Sequence, residues 1–196
     1  MNKRWMLLIP VLGFMPMVLA MRPVDDALLK AASNGDPGLV QVLIEKQADV
    51  NVANKDGETP LYNAAEKGDQ VIVALLLDKG ANLDHVTTDG ATALHIATEL
   101  GHRAIVALLL DKGADVKQER ADNGEPPLFI AAQERHTEIV RLLLEHGADV
   151  KQTKKDNGAT PLLIASAKGH RDIVALLLNH GADVKPATTN GWTALH

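Results

Sequence analysis

Histidine is the residue type in this chain whose number and spacing first suggest chemistry. The chain has eight histidines, enough for a zinc site or for general acid–base catalysis. His102, His136 and His170 recur at intervals of 34 residues, which places one in each of three successive sequence repeats rather than around one ion. No two histidines have the His-x-x-x-His spacing that puts two ligands on one helix face. We therefore expect no metal site.

Nucleophiles and phosphate-binding loops are equally scarce. The chain has no cysteine, and its serines are Ser33 and Ser166. Neither serine lies in a Gly-x-Ser-x-Gly turn, and no Gly-x-x-x-x-Gly-Lys loop occurs. The sequence predicts a non-enzymatic protein with no cofactor and no small-molecule ligand.

The first twenty residues have the layout of a secretory signal peptide. Lys3 and Arg4 precede the apolar residues 5–19, and Ala20 provides a small residue at a cleavage site. We expect cleavage after Ala20 and export, to the periplasm in a Gram-negative cell and otherwise to the medium. An uncleaved membrane anchor is the alternative, although the apolar segment is short for one.

The remaining residues, 21–196, form one acidic domain. Loss of Lys3 and Arg4 reduces the basic residues from 20 to 18 against 25 acidic ones, so the net charge becomes −7. Because nucleic acids and anionic membranes repel such a protein, neither is an expected partner.

A repeated motif shows which elements must position any functional residues. Its glycines recur every 33 or 34 residues, at Gly57, Gly90, Gly124, Gly158 and Gly191. In one repeat, Thr59-Pro60 begins a first helix, Gly68 ends it, and Asp69 begins a second, strongly apolar helix. Helices of about two turns are unstable alone, so the repeats must stack into a solenoid.

The repeat resembles the ankyrin repeat. The matching pieces include Thr92-Ala93-Leu94-His95, Gly101-His102 and Gly113-Ala114-Asp115-Val116, and the resemblance covers residues 25–196. It implies an all-α ankyrin solenoid of stacked helix-turn-helix units with β-hairpin fingers. The repeats would span about 25–54, 55–87, 88–121, 122–154 and 155–188, with a partial repeat at 189–196. Members of this family bind other proteins through finger tips and inner, concave helices, and they are rarely catalytic.

Both ends of the array depart from the repeat. Residues 25–54 are expected to cap the stack, with Asp25, Asp26 and Lys30 on a polar outer face and Gln47 in a position that later repeats give to glycine. At the other end the sequence stops within a first helix, which predicts an uncovered apolar face at Ile173, Val174 and Leu177. Either the natural chain continues past His196, or this end docks on a partner.

Partner-binding residues are predicted from the outward positions that the resemblance implies. The residue between Gly and Thr is Glu58, Ala91, Glu125, Ala159 and Trp192 in turn, and the residue after Leu is Tyr62, His95, Phe129, Leu163 and His196. The tails of the first helices add further positions, including Leu100 and Gln133, and the finger tips add others, including Lys154. The predicted binding set is Glu58, Tyr62, Leu100, Glu119, Arg120, Glu125, Phe129, Arg135 and Trp192.

The fourth repeat contributes most of that set because it departs most from the pattern. Pro126-Pro127 replaces Thr-Pro, Phe129 replaces His, and Arg135 replaces Gly, while both flanking fingers are one residue longer. Interfaces favour aromatic and Arg anchors. The alternative is drift in a tolerant repeat, with Phe129 filling the space of a histidine. Similarly, the exposed column Lys117, Lys151 and Lys185 is either a basic ladder or a solvated edge.

The sequence as a whole predicts an exported ankyrin-repeat scaffold that binds an unidentified protein. The alternative is that residues 21–196 are the binding portion of a larger secreted effector or enzyme that continues past His196.

Overall fold

The computed structural model describes residues 21–194, so the predicted signal peptide at residues 1–20 and the outward position His196 lie outside the described residues. Ten α-helices follow one another in the described range. They are α1 (Pro23–Asn34), α2 (Pro37–Glu45), α3 (Pro60–Lys67), α4 (Gln70–Asp78), α5 (Ala93–Glu99), α6 (Arg103–Asp111), α7 (Pro127–Gln133), α8 (Thr137–Glu145), α9 (Pro161–Ala167) and α10 (Arg171–Asn179).

The odd-numbered helices begin at hydroxyl caps in three repeats. Thr59, Thr92 and Thr160 accept hydrogen bonds from the third backbone amide of α3, α5 and α9. Pro126 replaces this threonine before α7, and α7 has no side-chain cap. The loss of a capping hydroxyl predicted from Pro126-Pro127 is thus confirmed.

The helices stack in two layers. The first helices α1, α3, α5, α7 and α9 pack on one another in order, and the second helices form a parallel row behind them. Fully buried leucines and isoleucines such as Leu61, Ile72 and Leu109 join one continuous core along the stack. Because each repeat buries its apolar side chains against its neighbours, the fold is the all-α repeat solenoid that the sequence predicts.

The fingers, which connect one helix pair to the next, contain no β-strand within residues 21–194. Each is a turn closed by two backbone hydrogen bonds, such as those from Thr87 N to Ala91 O at 2.9 Å and from Gly90 N to Thr87 O at 2.8 Å. The next turn closes from Arg120 N to Glu125 O at 3.1 Å and contains one residue more, as the sequence predicts. The structure therefore shows turns in the fingers and not the expected β-hairpins, because the paired backbone is too short for a ladder.

The first repeat differs from the expected cap. Asp25 is buried rather than on the outer face, because its carboxylate accepts two hydrogen bonds from Arg22 at 2.7 Å and one from Asp49 N at 2.8 Å. Asp26 and Lys30 do form an outer ion pair, at 2.6 Å. Gln47 adopts a left-handed backbone with φ 62°, as expected for a residue in a glycine position.

The fifth repeat also corrects an expectation. Ile173 and Leu177 are fully buried, because the stack already covers these two positions on the sides of α10 that face its neighbours. Val174 is half-buried, and the exposed large apolar residue of this helix is Leu178. Among residues 21–194 no helix is both long and apolar enough to cross a membrane.

Candidate functional site

A groove of about 450 Å³ opens between α7, α9 and the last finger. We call it the terminal groove. The residues that line it include Phe129, Gln133, Lys154, Asn157, Leu163, Ile164, Asn190 and Trp192. Its walls therefore combine an apolar surface with neutral amide side chains, and Lys154 is its charged member.

Phe129 forms the floor of the terminal groove and not an outward anchor. The residue is only 2 % exposed, and the ammonium of Lys154 lies 5.9 Å from the centre of its ring, within cation–π range. The Lys154 ammonium is also paired with Glu125 at 2.7 Å and with Asp156 at 3.3 Å. The hydrogen bond to Glu125 is the main reason that the pKa of Lys154 is raised.

The exposure predicted for Glu125 and Phe129 is therefore wrong. The following finger places Lys154 against both side chains, with its ammonium paired to Glu125 and near the ring of Phe129, and both residues are buried. Ala91 and Ala159, which hold the same repeat position as Glu125, are buried as well. His95, the counterpart of Phe129, is fully buried, and its Nδ1 accepts a hydrogen bond from Thr92 N at 3.1 Å.

Trp192, by contrast, is 57 % exposed at the edge of the terminal groove. Leu163 and Ile164 on α9 are partly exposed beside it. The structure thus brings two residues of the predicted binding set, Phe129 and Trp192, to one groove.

Arg120 is the centre of an ion cluster on the neighbouring part of the same face. Its guanidinium pairs with Asp89 of the preceding finger, with Glu99 at the end of α5 at 3.4 Å, and with Asp122 at 3.2 Å. The side chain is 17 % exposed. Burial opposes the charge, but the three carboxylates outweigh it, so the pKa of Arg120 is raised. Arg120 consequently ties two fingers to a helix.

Tyr62 lies beside this cluster and is half-buried. Burial, and then the charges of Glu66, Asp89 and Glu58, raise the pKa of its hydroxyl to about 12. We call the part of the face that carries Tyr62, Arg120 and the carboxylates Glu58, Glu66, Asp89, Glu99 and Asp122 the acidic half.

The other predicted residues do not join either region. Glu119 pairs with Lys155 at 2.6 Å and accepts a hydrogen bond from Gln152 at 2.9 Å; these contacts, the one with Lys155 first, lower the pKa of its carboxyl group. Leu100 is 46 % exposed at the end of α5. Arg135 has the predicted left-handed backbone, with φ 63°, and lines a separate hollow of about 270 Å³ near His136.

Sequence reasoning missed the role of Lys154. It placed this residue at a finger tip, but nothing in the sequence indicated that the longer finger would lay the side chain across Phe129. It also named Leu163 and Gln133 only as members of outward columns. No local signal distinguishes them from their counterparts, because the groove depends on how three successive repeats meet.

The periodic histidines have a structural role. Nε2 of His102, His136 and His170 lies 3.2, 3.0 and 3.2 Å from the backbone oxygen of Glu66, Glu99 and Gln133, each in the preceding repeat. These hydrogen bonds occupy carbonyls that the ends of α3, α5 and α7 leave unpaired. Within residues 21–194 no group of three or more His, Asp or Glu side chains is arranged to hold a metal ion.

Comparison with known proteins addresses the fold. No curated protein matches the chain closely enough to count as a relative. The family model described as Ankyrin repeats (3 copies) matches residues 28–120 and 128–196, which together make up most of the sequence. Both the stacked helix pairs and this match identify the chain as a member of the ankyrin-repeat family.

Proposed function

We propose that this chain is an exported scaffold that binds a protein partner through its concave face and fingers. Ankyrin repeats are in general protein–protein interaction modules, and ankyrin-repeat proteins are typically non-enzymatic scaffolds. The observation that carries the proposal is the terminal groove, where Trp192 is 57 % exposed next to Leu163 and Ile164. Large aromatic residues beside a groove are the usual anchors of protein interfaces.

The physical basis is the burial of apolar surface by a partner on a rigid support. Leu163 and Ile164 belong to α9, whose other side packs against α7 and α10. A site on a helix held from two sides needs little ordering when it binds, which favours affinity. Removal of the exposed surface of Trp192, Leu163 and Ile164 from water supplies the driving force.

Site-specific photo-crosslinking tests the use of the concave face. A photoreactive amino acid is placed at Gln133, which lines the terminal groove, or at Glu145 at the end of α8, in the other row of helices. We expect one partner protein to be crosslinked from position 133 and not from 145, both in cells and with the purified partner. Equal crosslinking from both positions, or from 145 alone, would refute binding through this face.

Export is tested separately by cell fractionation. The basic N-terminus and residues 5–19 support a signal peptide. We expect the chain in the periplasm or medium, shortened by about twenty residues, and we expect it to stay in the cytoplasm when charged residues replace part of the apolar segment. If the unsubstituted chain is found only in the cytoplasm, export is contradicted, and the proposal that the chain binds a protein partner is unaffected.

A further inference from the structure

We propose that the concave face takes an extended segment of the partner protein in which an aromatic or large aliphatic residue enters the terminal groove and neighbouring lysine or arginine residues lie over the acidic half. This inference rests on the proposed function and adds the chemistry of the partner to it. Two adjoining regions of different character, the terminal groove and the acidic half, form this face.

The terminal groove selects an uncharged side chain. Lys154, its one cation, is already paired with Glu125 at 2.7 Å and with Asp156 at 3.3 Å. An acidic partner residue would be repelled by Glu125 and Asp156, and a basic one would lie near the Lys154 ammonium. The surrounding Leu163, Ile164 and Trp192 offer apolar surface, which an aromatic or large aliphatic residue covers at the largest gain.

Amide side chains at the rim favour a peptide over a compact apolar molecule. Gln133, Asn157 and Asn190 line the same groove. Oδ1 of Asn157 accepts a hydrogen bond from Ala159 N at 2.9 Å, and Oδ1 of Asn190 accepts one from Thr188. Nε2 of Gln133 donates to Glu134 at 2.9 Å. The Nδ2 groups of the two asparagines and Oε1 of Gln133 are the donors and the acceptor that an extended peptide backbone would meet. A peptide backbone that crosses the groove would keep its polar groups paired while its side chain is buried.

The acidic half carries unbalanced negative charge. Arg120 is one cation among the carboxylates of Asp89, Glu99 and Asp122. Glu58 and Glu66 form no ion pair within residues 21–194, so five carboxylates face one guanidinium, an excess of four. The side chain of the neighbouring Lys67 lies beside Gly35 of the preceding repeat, and Lys67 forms no ion pair among the described residues 21–194. Such a surface attracts lysine and arginine and repels acidic segments.

The two regions are next to each other. Glu99 occupies in α5 the repeat position that Gln133 occupies in α7, and α5 and α7 pack together. His136, which follows α7, connects the two repeats, since its Nε2 lies 3.0 Å from the backbone oxygen of Glu99 at the end of α5. A partner segment that leaves the terminal groove toward repeats two and three therefore meets carboxylates one helix away.

Binding of labelled model peptides to the whole chain tests the inference. The probe is a fluorescein-labelled Gly/Ser peptide with one Trp and three Lys on one side of it, made in both chain directions. Matched peptides carry Glu in place of Lys, or Ala in place of Trp. We expect fluorescence anisotropy to show the tightest binding for the Trp/Lys peptide, about thirtyfold weaker binding without Trp, and a marked loss between about 0.05 and 0.2 M salt.

Variants of the chain assign the two contacts. Glu66→Gln with Glu99→Gln should weaken binding of the Trp/Lys peptide about three- to tenfold, whereas Glu45→Gln with Glu145→Gln, which removes the same charge from second helices, should not. Leu163→Gln and Trp192→Ser should each weaken both Trp peptides, and circular dichroism checks that these variants are folded. Since Trp192 belongs to a finger, Leu163→Gln keeps the test valid if Trp192→Ser disturbs that finger.

Each possible failure has a separate meaning. Equal or tighter binding of the Trp/Glu peptide, or binding that ignores the groove and carboxylate variants, would overturn the inference. Free indole is tested in the same assay. If these variants weaken the binding of indole as strongly as they weaken the binding of the peptide, the groove is a small-molecule pocket, and the inference is overturned as well. In either case crosslinking of a protein partner from position 133 would still support the proposed function, whereas its absence would remove both.

Discussion

The glycines that end the helices make two separable contributions to stability, and two alanine substitutions distinguish them. Gly101 ends the first helix of its repeat with φ 77°, and Gly147 follows a second helix with φ 84°. A Cβ on Gly101 would lie 2.7 Å from Cε1 of His136, whereas a Cβ on Gly147 would meet no atom within 4 Å. Both substitutions strain the backbone, but only one displaces a neighbour.

The magnitudes follow from those contacts. Gly147→Ala should lower the free energy of unfolding by about 1 kcal/mol, the cost of a left-handed backbone for a residue with a Cβ. Gly101→Ala carries the same cost and also pushes the His136 ring from its position 3.0 Å from Glu99 O. Loss of that hydrogen bond adds about 1 kcal/mol, so the total is about 2 kcal/mol.

Urea unfolding followed by circular dichroism measures both values. Because stacked repeats can unfold in parts, the slope of each transition has to match that of the unsubstituted chain before free energies are compared. The double variant Gly101→Ala with His136→Ala should show a coupling of about 1 kcal/mol. Equal losses for Gly101→Ala and Gly147→Ala would refute the view that the ring of His136 is seated on the glycine.

Three further substitutions test the fourth repeat and the ion cluster. Arg135→Gly should raise the urea midpoint, with a gain of about 1 kcal/mol, because φ is 63° at this position; an unchanged midpoint would argue against backbone strain. Arg120→Met should lower the free energy of unfolding by about 2 kcal/mol, since three carboxylates lose their cation, and added salt should recover part of the loss; a loss that is insensitive to salt would contradict this. His95→Gln should remove a pH dependence of stability. Burial, and then the charge of Arg120, lower the pKa of His95 from 6.5 to about 4. As the pH falls, this imidazole is therefore protonated in the unfolded chain before it is protonated in the folded one. Stability should therefore decline by up to about 3 kcal/mol between pH 6.5 and 4, in addition to any other titrations, and thermal melts of the variant should lack that part of the decline.

Features that depend on a few adjacent residues were predictable from the sequence. The start of α3 at Thr59, its end at Gly68 and the start of α4 after Asp69 are all as predicted. Thr59 and Asp69 accept hydrogen bonds from backbone amides in the first turn of their helices, and Gly68 has φ 81°. Each of these helix ends follows from the hydrogen bonding and backbone conformation of one turn. Repetition of the motif then determines the stack.

Features that depend on contacts between repeats were not predictable in this way. Phe129 and Glu125 were expected to face outward, yet Lys154 of the next finger covers both. Asp25 was expected on the outer face, yet Arg22 and Asp49 N enclose it. These contacts join residues that are far apart in sequence or lie just outside the motif, so the periodic pattern contains no information about them.

The two interpretations of the fourth repeat can now be joined. Phe129 does fill a buried position that corresponds to that of His95, as the drift interpretation holds. A phenyl ring, however, cannot accept the hydrogen bond that His95 Nδ1 takes from Thr92 N, and Pro126, in the position of Thr92, has no backbone N–H to donate one. The paired changes replace a polar cap by apolar surface, over which the Lys154 ammonium is drawn by the ring and held by Glu125. The charge of Lys154 is thereby paired within the protein. The terminal groove consequently offers no unpaired cation, and it lies next to a strongly acidic surface. That contrast across one helix spacing is what the proposed peptide segment would recognise, with its apolar residue in the terminal groove and its cations over the acidic half.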